Sequence, residues 1–302
     1  MRRLSIPCVL LMIIKLMEEV TVKRNSPIPK ALTVAGSDSG GGAGIQADLK
    51  TFQEFQVYGM SVLTAVTAQN TLGVHGVYDL PVEAVEAQLR AVLDDIGADA
   101  VKTGMLAHEQ IILRLAELFS DYQVRNLVVD PVMVAKGGAP LLREEALEAL
   151  RKKLIPLARL VTPNIPEACR LTGMSEISTV EQMERAARLI GEMGAQAVLV
   201  KGGHRDSVEA VDVLVDDRKT VVFRLPRIAS PHTHGTGCTL SAAIAAGLAC
   251  GHDLEEAVWK AKRFVHEAIR GGIAGLGKGI GPLDHATYRR GASGFPAARE
   301  EI

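Results

Sequence analysis

From Ala31 onward, short runs of consecutive apolar residues alternate with stretches whose apolar positions recur every three or four residues. Uninterrupted apolar runs suit strands buried on both faces, and the three-to-four period suits amphipathic helices; their alternation predicts βαβ units around a mostly parallel sheet. Strands are expected at Ala31–Ala35, Met60–Ala68, Ala100–Thr103, Asn126–Asp130, Leu160–Thr162 and Ala197–Lys201. Helices are expected at Ala43–Gln56, Val82–Asp95, Glu109–Phe119, Arg143–Lys153, Ile165–Thr172 and Thr179–Met193, with right-handed crossovers. Near residue 210 the rhythm changes. Ala210–Val215 and Thr220–Leu225 flank the polar Asp216-Asp217-Arg218-Lys219 and predict an antiparallel hairpin on one sheet edge, followed by helices Cys238–Ala249 and Leu254–Ile273. The expected fold is a three-layer α/β/α domain with a mostly parallel central sheet and an antiparallel edge hairpin.

Composition narrows the function. The 302 residues carry 34 Lys+Arg against 35 Asp+Glu, and 47% are hydrophobic. Such a chain buries a large core and lacks the basic footprint of a nucleic-acid binder, so its expected partners are small molecules. Cys8, Cys169, Cys238 and Cys250 are irregularly spaced, which argues against a disulfide framework or a structural zinc site and for a reducing, cytoplasmic location. Arg2-Arg3 before the apolar Ile6–Met17 stretch looks like a signal peptide, but the stretch is too short to span a bilayer and no small-residue cleavage site follows. A start site assigned too early, with Met17 as the first residue, is the alternative. The expected organisation is an N-terminal extension 1–30, a single domain 31–286 and a frayed tail 287–302.

In an open α/β sheet, ligands bind beyond the carboxyl ends of the strands. The first such loop, Gly36–Gly44, runs from strand to helix and has no Lys at the spacing of a phosphate-binding P-loop. Its Gly42-x-Gly44-x-x-Ala47 matches a dinucleotide fingerprint, but Gln69 stands where that motif needs an acid. Thr233-His234-Gly235-Thr236-Gly237-Cys238-Thr239 is the sharpest signal: Gly235, Thr236 and Gly237 can aim successive N–H groups into one anion hole at a helix start. Cys238 there is expected to have a lowered thiol pKa and to act as a base. A metal site from His232, His234 and Cys238 is a weaker alternative. Asp130, Glu167 and Asn164 could organise Mg²⁺ directly or through water, with an Asn164–Glu167 helix cap as the competing reading. Lys201 closes a strand as a point charge for phosphate, and Gly275–Pro282 reads either as a mobile loop carrying Lys278 over a nucleotide or as a flexible connection.

Taken together, Ala31–Lys50, Thr64–Thr71, Lys102–Leu106, Asp130–Met133, Thr162–Asn164, Lys201–His204, Thr233–Thr239 and Gly277–Pro282 closely resemble the hydroxymethylpyrimidine/phosphomethylpyrimidine kinases of thiamine biosynthesis, members of the ribokinase-like group. The resemblance covers about residues 31 to 285. It implies ATP-dependent phosphorylation of 4-amino-5-hydroxymethyl-2-methylpyrimidine and then of its monophosphate, with Mg²⁺, in a homodimer. It further implies that Gln69 reads the pyrimidine edge and that Gly36, Asp48 and Met105 shape its pocket. By the same likeness Asp130 and Glu167 meet the metal, and Asn164, Lys201 and Lys278 contact ATP. Many sugar kinases of this fold place an Asp base where this chain has Cys238. A pyridoxal kinase of the same fold and a catalytically silent binding protein remain as rival readings.

Overall fold

The computed structural model describes residues 27–134, 142, 144–203, 207–287 and 289. The expectations for Cys8 and nearly all of the N-terminal extension, for Arg143, for His204 and for the tail beyond residue 290 lie outside these residues. Among the described residues nine strands form one sheet: β1 (Lys30–Asp38), β2 (Tyr58–Asn70), β3 (Gly73–Asp79), β4 (Ala100–Thr103), β5 (Leu127–Val129), β6 (Leu160–Val161), β7 (Ala197–Lys201), β8 (Glu209–Asp216) and β9 (Thr220–Pro226). Their order is β3-β2-β1-β4-β5-β6-β7-β8-β9. From β2 to β7 every pairing is parallel, and the β8–β9 hairpin joins β7 antiparallel, as its sequence predicts.

The other edge departs from expectation, because β3 pairs antiparallel with β2. Its seven residues include Gly73 and Gly76, and mostly face solvent, so neither face offers the apolar alternation that marks a strand. Leu72 N–H donates to Asn70 Oδ1 at 2.9 Å, an Asx turn that reverses the chain between β2 and β3.

Helices cover both faces: α1 (Gly44–Glu54), α2 (Val82–Asp95), α3 (Glu109–Asp121), α4 (Glu144–Ala149), α5 (Ile165–Thr172), α6 (Val180–Gly191), α7 (Thr236–Ala249) and α8 (Leu254–Arg270). Alternate residues along each parallel strand enter different cores: Leu127 and Val129 pack with α2–α6, whereas Val128 packs with α1, α7 and α8. Where one long helix is expected at Arg143–Lys153, α4 instead widens into a π-turn at Leu150–Leu154 and tightens into a 3₁₀ turn at Ile155–Leu157. Pro156 has no N–H to continue the α ladder. Helix α7 has no polar stripe, and Thr239 to Leu248 are all buried, as befits a helix enclosed on every side. It packs on α1, α8, β1, β4 and β5. Its position carries the glycine-rich segment before it to the carboxyl ends of the strands.

Candidate active site

The chain leaves β1 toward β2 on one side and returns to β4 on the other, so a crevice opens where the connections diverge. A cavity of about 760 Å³ lies there. One end is walled by Gly36, Asp38, Gln69, Met105 and His234, the middle by Asp130, Lys201 and Gly235–Cys238, and the far end by Leu225, Pro226, Ile228, Val265 and Ile269.

At the first end, Asp38 organises the glycine-rich loop. Its carboxylate accepts from the N–H groups of Gly40 (2.8 Å), Gly42 (3.1 Å) and Ala43 (2.8 Å), and from His234 Nε2 (2.9 Å). Burial alone would raise its pKa, but the His234 hydrogen bond and charge, with the loop N–H groups, hold it below the ordinary carboxylate value. The Gln69 amide spans His234 Nε2 and Thr67 Oγ1, each at 3.2 Å. Met105 lies against Gly36, and both line the cavity.

Asp48 is placed differently. It is buried beneath the cavity floor, bonded through Oδ2 to Lys102 Nζ (2.7 Å) and Thr33 Oγ1 (2.6 Å), and it is Lys102 that reaches the lining. Asp48 shapes the pocket only by holding that lysine. Burial opposes the Lys102 charge, but Asp48, then Cys238 and Asp130, raise its pKa.

In the middle, Gly235 N-caps α7 with φ +82° and no side-chain cap, which leaves the first-turn N–H groups free of any side-chain acceptor. A Cβ at Gly235 would lie 1.8 Å from the Gly42 carbonyl oxygen, so only glycine lets the two loops touch. Beside this hole Lys201 Nζ bonds Asp130 Oδ1 at 2.8 Å, while Ser241 on α7 donates to Asp130 Oδ2 at 3.1 Å. Burial works against the charge on Asp130, but Lys201 and Lys102 outweigh it and keep the carboxyl below its ordinary value.

Cys238 corrects the expectation of a lowered thiol pKa. Burial pushes it up to about 11; Lys102 opposes this, Asp48 and Asp130 add to it, and the Gly44 N–H relieves it slightly. The helix start is there, but desolvation is the larger effect.

Asn164 and Glu167 form a reciprocal capping box on α5: Asn164 Oδ1 accepts from the Glu167 N–H (2.9 Å) and Glu167 Oε2 from the Asn164 N–H (2.8 Å). Both still line the cavity. Burial, with Asp130 nearby, pushes Glu167 up to about 7 against the pull of Lys201. Lys278 does not line the cavity. Its loop is docked, with the N–H groups of Lys278 and Gly279 on Thr71 Oγ1 (both 3.2 Å) and that of Ile280 on the Thr71 carbonyl (3.0 Å). Gly281 then accepts from the His234 N–H at 3.1 Å.

Asp38, Lys102 and the buried Asp212–Lys262 pair (2.6 Å) line the cavity beyond the residues singled out from sequence, and His234, weighed there only as a metal ligand, lines it as well. Asp38 carried a usable signal, an acid at the end of a strand; the Asp212–Lys262 pair spans 50 residues and had none.

An uncapped helix start, with a lysine–aspartate pair beside it, opens into the middle of this cavity, a layout that suits a phosphotransferase of the ribokinase-like fold. Comparison with known proteins agrees. The phosphomethylpyrimidine kinase family matches residues 38–284, and the chain belongs to that family. It is 50% identical over 264 residues to the hydroxymethylpyrimidine/phosphomethylpyrimidine kinase of Bacillus subtilis (strain 168), covering 87% of this chain and 97% of that one. It is also 47% identical over 263 residues to the pyridoxine kinase of Bacillus subtilis (strain 168), covering 86% and 97%. A Staphylococcus aureus pyridoxal kinase structure with AMP-PCP and pyridoxal superposes with a TM-score of 0.82 at 41% identity, covering 88% of this chain and 96% of that one.

Proposed function

We propose that this kinase transfers the γ-phosphoryl group of ATP to the hydroxymethyl oxygen of 4-amino-5-hydroxymethyl-2-methylpyrimidine, and then a second one to the resulting monophosphate. One observation carries the reading: the Gly235–Cys238 anion hole opens between a polar pocket containing the Gln69 amide and an apolar slot of Leu225, Pro226, Val265 and Ile269. An amide can donate to and accept from a heteroaromatic edge, and the slot suits a nucleobase. The residue roles are part of the proposal. Gln69, Gly36 and Met105 hold the acceptor ring. The N–H groups of Gly235, Thr236 and Gly237 receive the phosphoryl group in flight, with Lys201 as its counter-charge. Mg²⁺ would enter on the ATP phosphates. Asp130 and Glu167 already accept Lys201, Ser241 and backbone N–H donors, a donor set that fits a metal met through water rather than chelated directly.

The two steps differ in their need for Cys238. In the first, the hydroxymethyl group must lose a proton, and in this reading the thiolate form of Cys238 takes it late in a loose transition state and becomes the thiol. In the second, the nucleophile is a phosphate oxygen that is already largely deprotonated, so Cys238 only positions the acceptor.

Residues 31–286 act as one kinase domain in this reading. The homodimer implied by the resemblance is proposed to form through β3, an unpaired edge whose neighbourhood exposes Leu72, Val77 and Tyr78. ADP release with Mg-ATP and each of hydroxymethylpyrimidine, its monophosphate and pyridoxal tests the main reading. Turnover of both pyrimidines well above pyridoxal is expected; pyridoxal preference would make it a vitamin B6 kinase, and no turnover a silent binding protein.

A further inference from the structure

Only one orientation of the Gln69 amide lets every close contact around it be a hydrogen bond, and then only with one proton shared between two acceptors. Asp38 Oδ2 already accepts from the Gly42 N–H (3.1 Å) and the Ala43 N–H (2.8 Å), so it meets His234 Nε2 at 2.9 Å as an acceptor and Nε2 carries the ring proton. The end of the Gln69 amide that lies 3.2 Å from the same nitrogen would set N–H against N–H if it were the NH₂. It is therefore the carbonyl oxygen, sharing the Nε2 proton with Asp38. The opposite end gives the same answer from a separate contact. Thr67 has one hydroxyl proton and donates it to the Ser37 carbonyl at 2.8 Å. Its oxygen is then an acceptor toward Gln69, 3.2 Å away, and what it accepts is the amide N–H.

We propose that His234 is a specificity-determining positioning residue, which fixes the direction of the Gln69 amide and so the order of donor and acceptor that this end of the cavity presents. The proposal rests on the reading that Gln69 faces the acceptor ring. With the amide so held, an acceptor lone pair is offered on the His234 side and an N–H on the Thr67 side. The matching ligand edge is an exocyclic amine next to an unprotonated ring nitrogen, with the amine toward His234. A ring with a carbonyl beside a ring N–H presents the reverse order and meets like against like at both places. Because Asp38 also binds three N–H groups of the first glycine-rich loop, the group that positions this loop also sets the polarity of the recognition amide.

The test is steady-state kinetics with 4-amino-5-hydroxymethyl-2-methylpyrimidine and its 4-oxo counterpart, for the parent enzyme, His234→Phe, His234→Gln and Gln69→Ala. The parent is expected to favour the amino compound by about tenfold or more in kcat/KM, carried by KM. His234→Phe frees the amide to turn, so the ratio is expected to collapse toward unity. His234→Gln restores an N–H donor near the place of Nε2 and is expected to recover most of the ratio. Equal losses for both compounds in His234→Phe, with the parental ratio preserved, would make His234 a simple loop staple and overturn the proposal. A parental ratio in Gln69→Ala would instead overturn the placement of the acceptor ring at Gln69. Side-chain ¹⁵N shifts of the ligand-free parent provide a check without variants: Nε2 of His234 is expected to be protonated, and a bare Nε2 contradicts the assignment.

Discussion

Cys238 occupies a helix start yet holds its proton, because burial pushes its pKa up to about 11. Below that value the thiolate fraction changes about tenfold per pH unit. The first phosphorylation is therefore expected to quicken as pH rises from about 6 to about 9. Cys238→Ala is expected to lower its kcat by about a hundredfold and flatten the profile, with the second phosphorylation affected much less. An unchanged slope would remove the thiol as base. Gln69→Ala is expected to raise the KM for the pyrimidine by about tenfold or more while leaving that for ATP near its parental value. Parallel rises would put the acceptor elsewhere. At this scale the sequence was informative about chemistry and less so about environment. The Gln69 position follows from where a strand ends and Gly235–Cys238 from a glycine-rich run before a helix, whereas the high thiol pKa and the Asp48–Lys102 pair depend on desolvation by residues distant in the chain.

Among the elements, the N-terminal turns of α5 and α7 are built in opposite ways. Helix α5 satisfies its own first turn with Asn164 and Glu167, while α7 has no side-chain cap and its Thr236 N–H meets only the Thr233 carbonyl, at 3.4 Å. Gly235→Ala adds a Cβ into the Gly42 carbonyl at a left-handed φ. It is expected to cost about 1 to 3 kcal/mol of stability and at least about a hundredfold in kcat, read by thermal unfolding and turnover. Parental turnover would show that the two loops need not touch. Glu167 has its pKa raised from 4.5 to about 7 by burial, with Asp130 adding and Lys201 opposing. The fold thus favours the protonated acid, and this contribution is complete below pH 4.5 and lost as pH rises through about 7. Glu167→Gln keeps a capping oxygen without the charge, so its Tm relative to the parent is expected to improve from about pH 5 to pH 8. Parallel Tm curves would contradict this. The parallel strands and most helix limits were legible because long apolar periods dictate them. Strand β3 was not, since pairing with β2 rather than its own side chains makes it a strand.

Across the whole molecule, the two antiparallel edges differ in finish. Strand β9 exposes no large apolar side chain, but Tyr78 on β3 is 66% exposed and Leu72 in the adjoining turn 64%. Tyr78→Lys is expected to shift a dimer toward monomer in sedimentation equilibrium; an unchanged mass would place the contact elsewhere or rule it out. Helix α7 has a different consequence, for biosynthesis. It fills one face of the sheet against α1, β1, β4 and β5, all of which leave the ribosome long before residue 236. Until then Val128 and Leu160 on that face lack the cover of α7 and α8, and the emerging chain is a client for holdase chaperones. A stalled nascent chain released before α7 is expected to co-purify with them, and one released after α8 to be free of them.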